Sequence, residues 1–195
     1  MPQGLTTKGA ATRQRVIEGA AALLRRRGPG VSLDEVRAQT RTSKSQLFHY
    51  FPEGRRHLLL AVAQHEADQV IAEQQPYLDA LTSWPAWRAW RDAVVEHYRR
   101  QGRQCALSVL IGQLAPDDEQ AAAVVTGLLE RWRGLLAAGV EAMQQQGLMR
   151  ADIAAGRAAD ALLSGLQGGA ITLIASGRSE PLEAALDLIL DYLRG

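Results

Sequence analysis

The run Arg41 to Phe51, RTSKSQLFHYF, sets Thr42, Ser43, Lys44, Ser45 and Gln46 in a row, then packs Leu47, Phe48, Tyr50 and Phe51 into five positions. Hydroxyls, a carboxamide and an ammonium are hydrogen-bond donors and acceptors of short reach. None of them has an obvious nucleophile's partner. Such groups suit the edges and backbone of a nucleic acid. A Gln can pair bidentately with adenine, and Ser or Lys can meet bases or phosphates. The Tyr50 hydroxyl can meet a phosphate, a contact that positions without reading sequence. A run this short is not a stable helix alone, so other elements must hold it.

Other candidate chemistry is thin. HEADQ, His65 to Gln69, falls one ligand short of a zinc-protease helix, because Gln69 stands where the second His is needed. The four histidines are widely scattered, and no Gly-rich phosphate loop or G-x-S-x-G occurs. Cys105 has no nearby His or acid and reads as a small buried thiol. No catalytic residue, metal site or cofactor is expected.

The 195 residues give room for one or two domains, and 47% hydrophobic content supports a core. A single Cys cannot form an internal disulfide, which fits a reducing cytoplasm. The start, MPQGLTTKGA, lacks a hydrophobic signal core. No unbroken apolar run approaches the ~20 residues of a membrane span. A soluble cytoplasmic protein is expected. Net charge is +1, but residues 1–60 hold 11 Lys and Arg against 4 Asp and Glu, whereas residues 61–195 hold 11 against 17. The first third is thus the candidate for a polyanion partner.

The elements that must position the polar run are helical. Val16, Ala20, Leu23 and Leu24 share a face of a first helix, starting at Thr7 or Thr12 and closed by RRRGPG. Ser32 and Glu35 form a capping box for a short second helix ending near Thr40, with Val36 inward. The third helix starts at Thr42 or Ser43 and stops at Pro52 and Gly54, with Leu47, Phe48 and Phe51 read as core. Further helices are expected over about 55–74, 84–101, 105–114, 117–146, 154–176 and 181–193. Val124, Leu128, Trp132 and Leu135 form a stripe on the longest. The fold class is all-α, with a basic three-helix head (1–54) and a larger acidic helical body (55–195). Two short helices, a tight turn and a polar helix start form a helix-turn-helix, whose second helix enters the major groove.

VRAQTRTSKSQLFHYFPEGRRHLLLAV resembles the DNA-binding head of TetR-family transcriptional regulators, through Val36, Ser43, Leu47, Tyr50, Phe51 and Leu58. The likeness is specific over about residues 12–62. FPEGRRHL is similar to a turn of the LmrA/YxaF-like branch, and CALSVLIGQLA to a segment of its body. Here Arg41 stands at the usual turn glycine, Thr42 at the usual Val, Phe48 at the first Tyr and Arg55 at the usual Lys. The residues and the resemblance together give as DNA contacts Arg41, Thr42, Ser43, Lys44, Ser45, Gln46, His49, Tyr50 and Arg55.

SWPAWRAWRDAVVEHY holds three of the four tryptophans and sets Trp87, Trp90, Val94 and His97 on one helical face. They are read as core or as the wall of an effector pocket, which the resemblance places in the body; with Cys105 they form the candidate ligand set. Small residues in LLSGLQGGAITLIA allow close helix approach, and a stripe from Leu182 to Leu193 needs a partner. The resemblance implies a two-fold dimer through the last two helices, with Leu162, Gly165, Gly169, Leu182, Leu186 and Ile189 at the interface. The alternative is that both stripes fill the chain's own core. The expectation is a homodimeric, ligand-responsive repressor on a palindromic double-stranded operator. The rival is a helical enzyme or protein-binding adaptor with a helix-turn-helix-like head.

Overall fold

The computed structural model describes residues 6–28, 30–101 and 118–195. Among them every regular element is an α-helix: α1 (Thr7–Arg27), α2 (Leu33–Thr40), α3 (Lys44–Tyr50), α4 (Arg55–Ala72), α5 (Gln75–Leu78), α6 (Trp84–Gln101), α7 (Glu119–Gln145), α8 (Ala155–Ser176) and α9 (Glu180–Arg194). The helix expected over 105–114 lies outside the described residues. These residues fall into two compact units, 6–68 with 118–125 (the head) and 69–101 with 126–195 (the body). The packed head is therefore larger than the expected 1–54. It takes in most of α4 and the first turns of α7, because Leu58, Leu59, Val62, Ala63 and Ala121 complete its core.

Each head helix begins and ends on local chemistry. The Thr6 hydroxyl accepts from Gly9 N to start α1, and Gly28 (φ 72°) ends it. Val16, Ile17, Ala20, Ala21, Leu23 and Leu24 recur at helical spacing and are buried. The Ser32–Glu35 capping box starts α2 as expected. Hydrogen bonds from the Ser32 backbone and hydroxyl hold the Glu35 carboxyl below its ordinary pKa, with Arg27 adding to the effect. Asp118 caps α7 by accepting from Gln120 N (3.1 Å) and Ala121 N (3.2 Å).

In the body, α6 carries Trp87, Trp90, Val94, Val95 and Tyr98 into the core. On α7 the fully buried members are Leu128, Trp132, Leu136, Val140 and Met143. Leu136 takes the inward place expected for Leu135, which is half-buried. A Cβ on Gly139 would lie 2.6 Å from Leu81 Cβ and 3.0 Å from Trp87 Cζ2, so only glycine admits this packing. Three contacts fix α6 antiparallel to α9: Arg194 lies over the Trp84 ring, Arg91 forks onto Asp187, and Arg99 reaches Glu183. By length and composition α8 could cross a membrane, but its inward residues are buried against the chain's own helices.

Candidate nucleic-acid interface

The geometry of the turn begins on α1. A Cβ on Gly19 would sit 2.3 Å from Thr40 Cγ2, so the glycine lets the end of α2 press onto α1. The buried Thr40 hydroxyl donates to Val36 O (2.7 Å) and lies 2.9 Å from the Thr42 hydroxyl. Arg41 then adopts the left-handed conformation (φ 49°, ψ 45°). Arg41 N donates to Ala38 O (3.4 Å) and Thr42 N to Arg37 O (3.0 Å), the paired bonds of a Schellman motif. A side chain at that position costs roughly 1–2 kcal/mol relative to glycine.

Ser43, not Thr42, caps α3. Gln46 N donates to Ser43 Oγ (3.2 Å), and Ser43 N donates to Gln46 Oε1 (3.1 Å). The Gln46 carboxamide is thus folded back onto its own helix start, and a bidentate contact to adenine requires it to leave that cap. Leu47 and Phe51 are completely buried and anchor the helix in the head core. Arg13 lies over the Phe51 ring (5.5 Å), and His57 meets it edge-on (5.6 Å). Tyr50 is half-buried, with His49 edge-on against it at 5.0 Å.

Ser43, Lys44, Ser45, Gln46 and His49 are exposed, together with Arg41 and Arg55. Two expectations change. Thr42 is buried and bonded to Thr40, which removes it from the contact surface. Phe48, expected in the core, is 40% exposed. It follows Lys44 by one helical turn and shares the outward side, a periodicity the sequence shows but its aromatic type obscured.

The head's cations divide into two groups. Arg25 pairs with the buried Glu66 (2.6 Å), Arg27 with Glu35, and Arg37 with Asp34 (2.7 Å). Arg56 bonds Glu53 (2.9 Å) and forks onto Asp118 (2.9 and 3.0 Å). Among the described residues Lys8, Arg13, Arg15, Arg26, Arg41 and Lys44 pair with no acid. All but Arg26 lie in the first half of α1 or at the turn and start of α3. Arg13 and Arg15 were missed from sequence, where they are two more arginines on a charged helix. Their packing against Phe51 and Thr40 places them at the ends of α3 and α2.

The candidate ligand set is brought together in part. Trp87 and Trp90 are fully buried and meet edge to face (5.6 Å), and Val94 is buried below them. Trp90 Nε1 donates to Gln74 Oε1 (2.9 Å), and His97 Nδ1 lies 2.7 Å from Glu73 Oε2. The Trp87 and Trp132 indole N–H groups are buried with no acceptor among the described residues. Cys105 lies outside those residues.

The expected interface residues are turned inward. Leu162, Gly169, Leu182 and Leu186 are buried, and a Cβ on Gly169 would meet the Leu182 Cα at 2.5 Å. Gly165 faces Ile189 Cδ1. These six stripe residues close α8 onto α9 within one chain, because a helical stripe looks the same whether its partner helix is internal or external. The large apolar residues left outside on these helices are Ile171 (64% exposed), Leu188 (71%) and Tyr192 (59%).

Among the described residues no His, Cys, Asp or Glu cluster could hold a metal ion. The chain matches no protein-family model and no curated protein sequence. Solved structures with the same fold are numerous. A TetR regulatory protein from Rhodobacter sphaeroides is 22% identical, with TM-score 0.71 over 93% of this chain and 98% of that one. A TetR transcription regulator from Haloarcula marismortui is 14% identical, with TM-score 0.81 over 94% and 97%. Reduced NemR from E. coli is 19% identical, with TM-score 0.71 over 93% and 97%. The chain therefore has the all-α fold of these regulators.

Proposed function

We propose that this chain is a DNA-binding transcriptional regulator of the TetR family, nearest the LmrA/YxaF-like branch by its FPEGRRHL turn. In this reading it is a cytoplasmic homodimeric repressor with no enzymatic activity, released from a palindromic operator by a small apolar or aromatic effector. One observation carries the reading. A capped helix exposes Lys44, Ser45, Phe48 and His49, with the acid-free Arg13 over Phe51 at its end and Arg15 on the Thr40 carbonyl just before its turn. Hydroxyls and an ammonium can meet base edges and phosphates, and an aromatic face can meet a thymine methyl.

The dimer contact falls to the face bearing Ile171, Leu188 and Tyr192, since the inner stripes are used within the chain. The two buried indole N–H groups that meet no acceptor among the described residues support an effector carrying carbonyl or carboxylate oxygens. Linkage makes release reciprocal, so operator DNA weakens effector binding by the factor by which effector weakens DNA binding. The test is repeated selection of bound duplexes from a randomised pool. The reading expects inverted half-sites whose centres lie about one helical turn or a near multiple apart. Recovery of no shared sequence would contradict it.

A further inference from the structure

A non-glycine residue at the end of α2 is held where a side chain is a liability. Arg41 (φ 49°) is the one positive-φ residue other than glycine among the described residues. Its side chain is exposed, pairs with no acid, and lines open clefts on both sides of the turn. The second cleft, about 830 Å³, lies between α1 and the end of α2 and is also lined by Arg15, Glu18, Gly19, Gln39 and Thr40. Arg15 Nε donates to Thr40 O (3.2 Å), which steadies its guanidinium there. Gln14 Nε2 donates to Glu18 Oε1 (3.0 Å), so the cleft's acid already has a donor on it.

We propose that Arg15 and Arg41 form a phosphate clamp, taking one DNA backbone phosphate at the α1–α2 cleft, outside the recognition helix. This rests on the DNA-binding reading above and adds a contact that a glycine at the turn could not make. The clamp is built from the sequence upward. Gly19 admits Thr40 to α1, Thr40 presents its carbonyl to Arg15, and the Schellman turn leaves Arg41 lining the same cleft. Two guanidiniums present parallel N–H donors to phosphate oxygens, a geometry that suits arginine better than lysine. The strain at Arg41 is then the cost of reaching a phosphate from a turn.

A fluorescently labelled mixed-sequence DNA duplex, titrated over a series of salt concentrations, tests the clamp. Arg41→Gly should melt at a higher temperature than the wild type, because glycine suits the left-handed position. It should nonetheless bind the duplex about five- to tenfold more weakly near ~0.1 M salt, with a log–log salt slope shallower by no more than about 0.9. Arg41→Lys should keep most of the slope. Arg15→Gln should lose a similar amount, and the double variant no more than about 0.9 in total, since one phosphate is shared.

A double variant that loses about 1.8 would assign two separate phosphates and overturn the clamp. Arg41→Gly binding as the wild type does, while Lys44→Ala is weakened, would overturn the proposal and leave the DNA-binding reading standing. A wild-type protein that does not bind the duplex would overturn both.

Discussion

The head and the body are made of similar amphipathic helices, but their surfaces are spent differently. In the head, α3 buries Leu47 and Phe51 and turns Lys44, Ser45, Phe48 and His49 outward, beside cations that meet no acid. In the body, many charges meet partners: Arg91 on Asp187, Arg99 on Glu183, Arg133 on Asp160 and Arg150 on Asp152. The body also leaves large apolar residues outside on α8 and α9: Ile171, Leu188 and Tyr192, the last with Arg150 over its ring. Unmatched charge marks a surface that awaits a polyanion, and unmatched apolar area marks one that awaits another apolar surface.

The largest effects should come from the body's inward stripes. Leu186→Glu places a carboxylate in a fully buried site and should cost more than about 3 kcal/mol, read by chemical denaturation. Gly169→Ala should destabilise by roughly 1–3 kcal/mol despite alanine's better helix propensity, since the new Cβ meets the Leu182 backbone. If either variant keeps wild-type stability, the α8–α9 stripes are not the chain's own core. Leu188→Glu with Tyr192→Glu should instead give a folded monomer by sedimentation equilibrium. A dimer that persists would move the partner surface elsewhere.

Smaller effects belong to the head. Arg25→Ala leaves the buried Glu66 without its cation and should cost about 1–3 kcal/mol, discounted because Arg25 is partly exposed. Smallest is the cap at α7. Arg56 holds the Asp118 carboxyl below its ordinary pKa, with the Ala121 and Gln120 amides assisting. A depressed carboxylate pKa contributes stability that is complete above the unfolded value, about 4, and lost as pH falls through the folded one. A carbon-detected NMR titration should find the Asp118 midpoint below that of an ordinary aspartate, and Arg56→Gln should raise it. An unshifted midpoint would mean the fork onto Asp118 is not kept in solution.

Much of the head could be read from the sequence because its signals are local. Ser32 with Glu35 predicted a capping box at its observed place, and Leu47 and Phe51 fell where a helix anchors. What escaped was tertiary. Phe48 reads as core by type, yet its helical position turns it outward. Thr42 reads as polar surface, yet the close approach allowed by Gly19 folds its hydroxyl against Thr40. In the body, spacing located α8 and α9 to within a residue or two, but a stripe does not say which helix will cover it. Leu182 and Leu186 fit a second copy or the chain's own core from sequence alone, and the chain's own α8 covers them. The tryptophan face on α6 was located from sequence, and its burial fits core and pocket wall alike, because both are apolar and enclosed.

The central claim is that the head's acid-free cations meet the phosphates of duplex DNA. The most direct measurement is the salt dependence of wild-type binding to a DNA duplex, beside that of a variant with Lys44, Gln46 and Tyr50 all changed to Ala. Affinity should fall linearly on a log–log plot with salt, with a slope near −0.9 for each phosphate neutralised, and the triple variant should bind more weakly with a shallower slope. Binding that ignores salt, or that survives the three substitutions undiminished, would contradict the account.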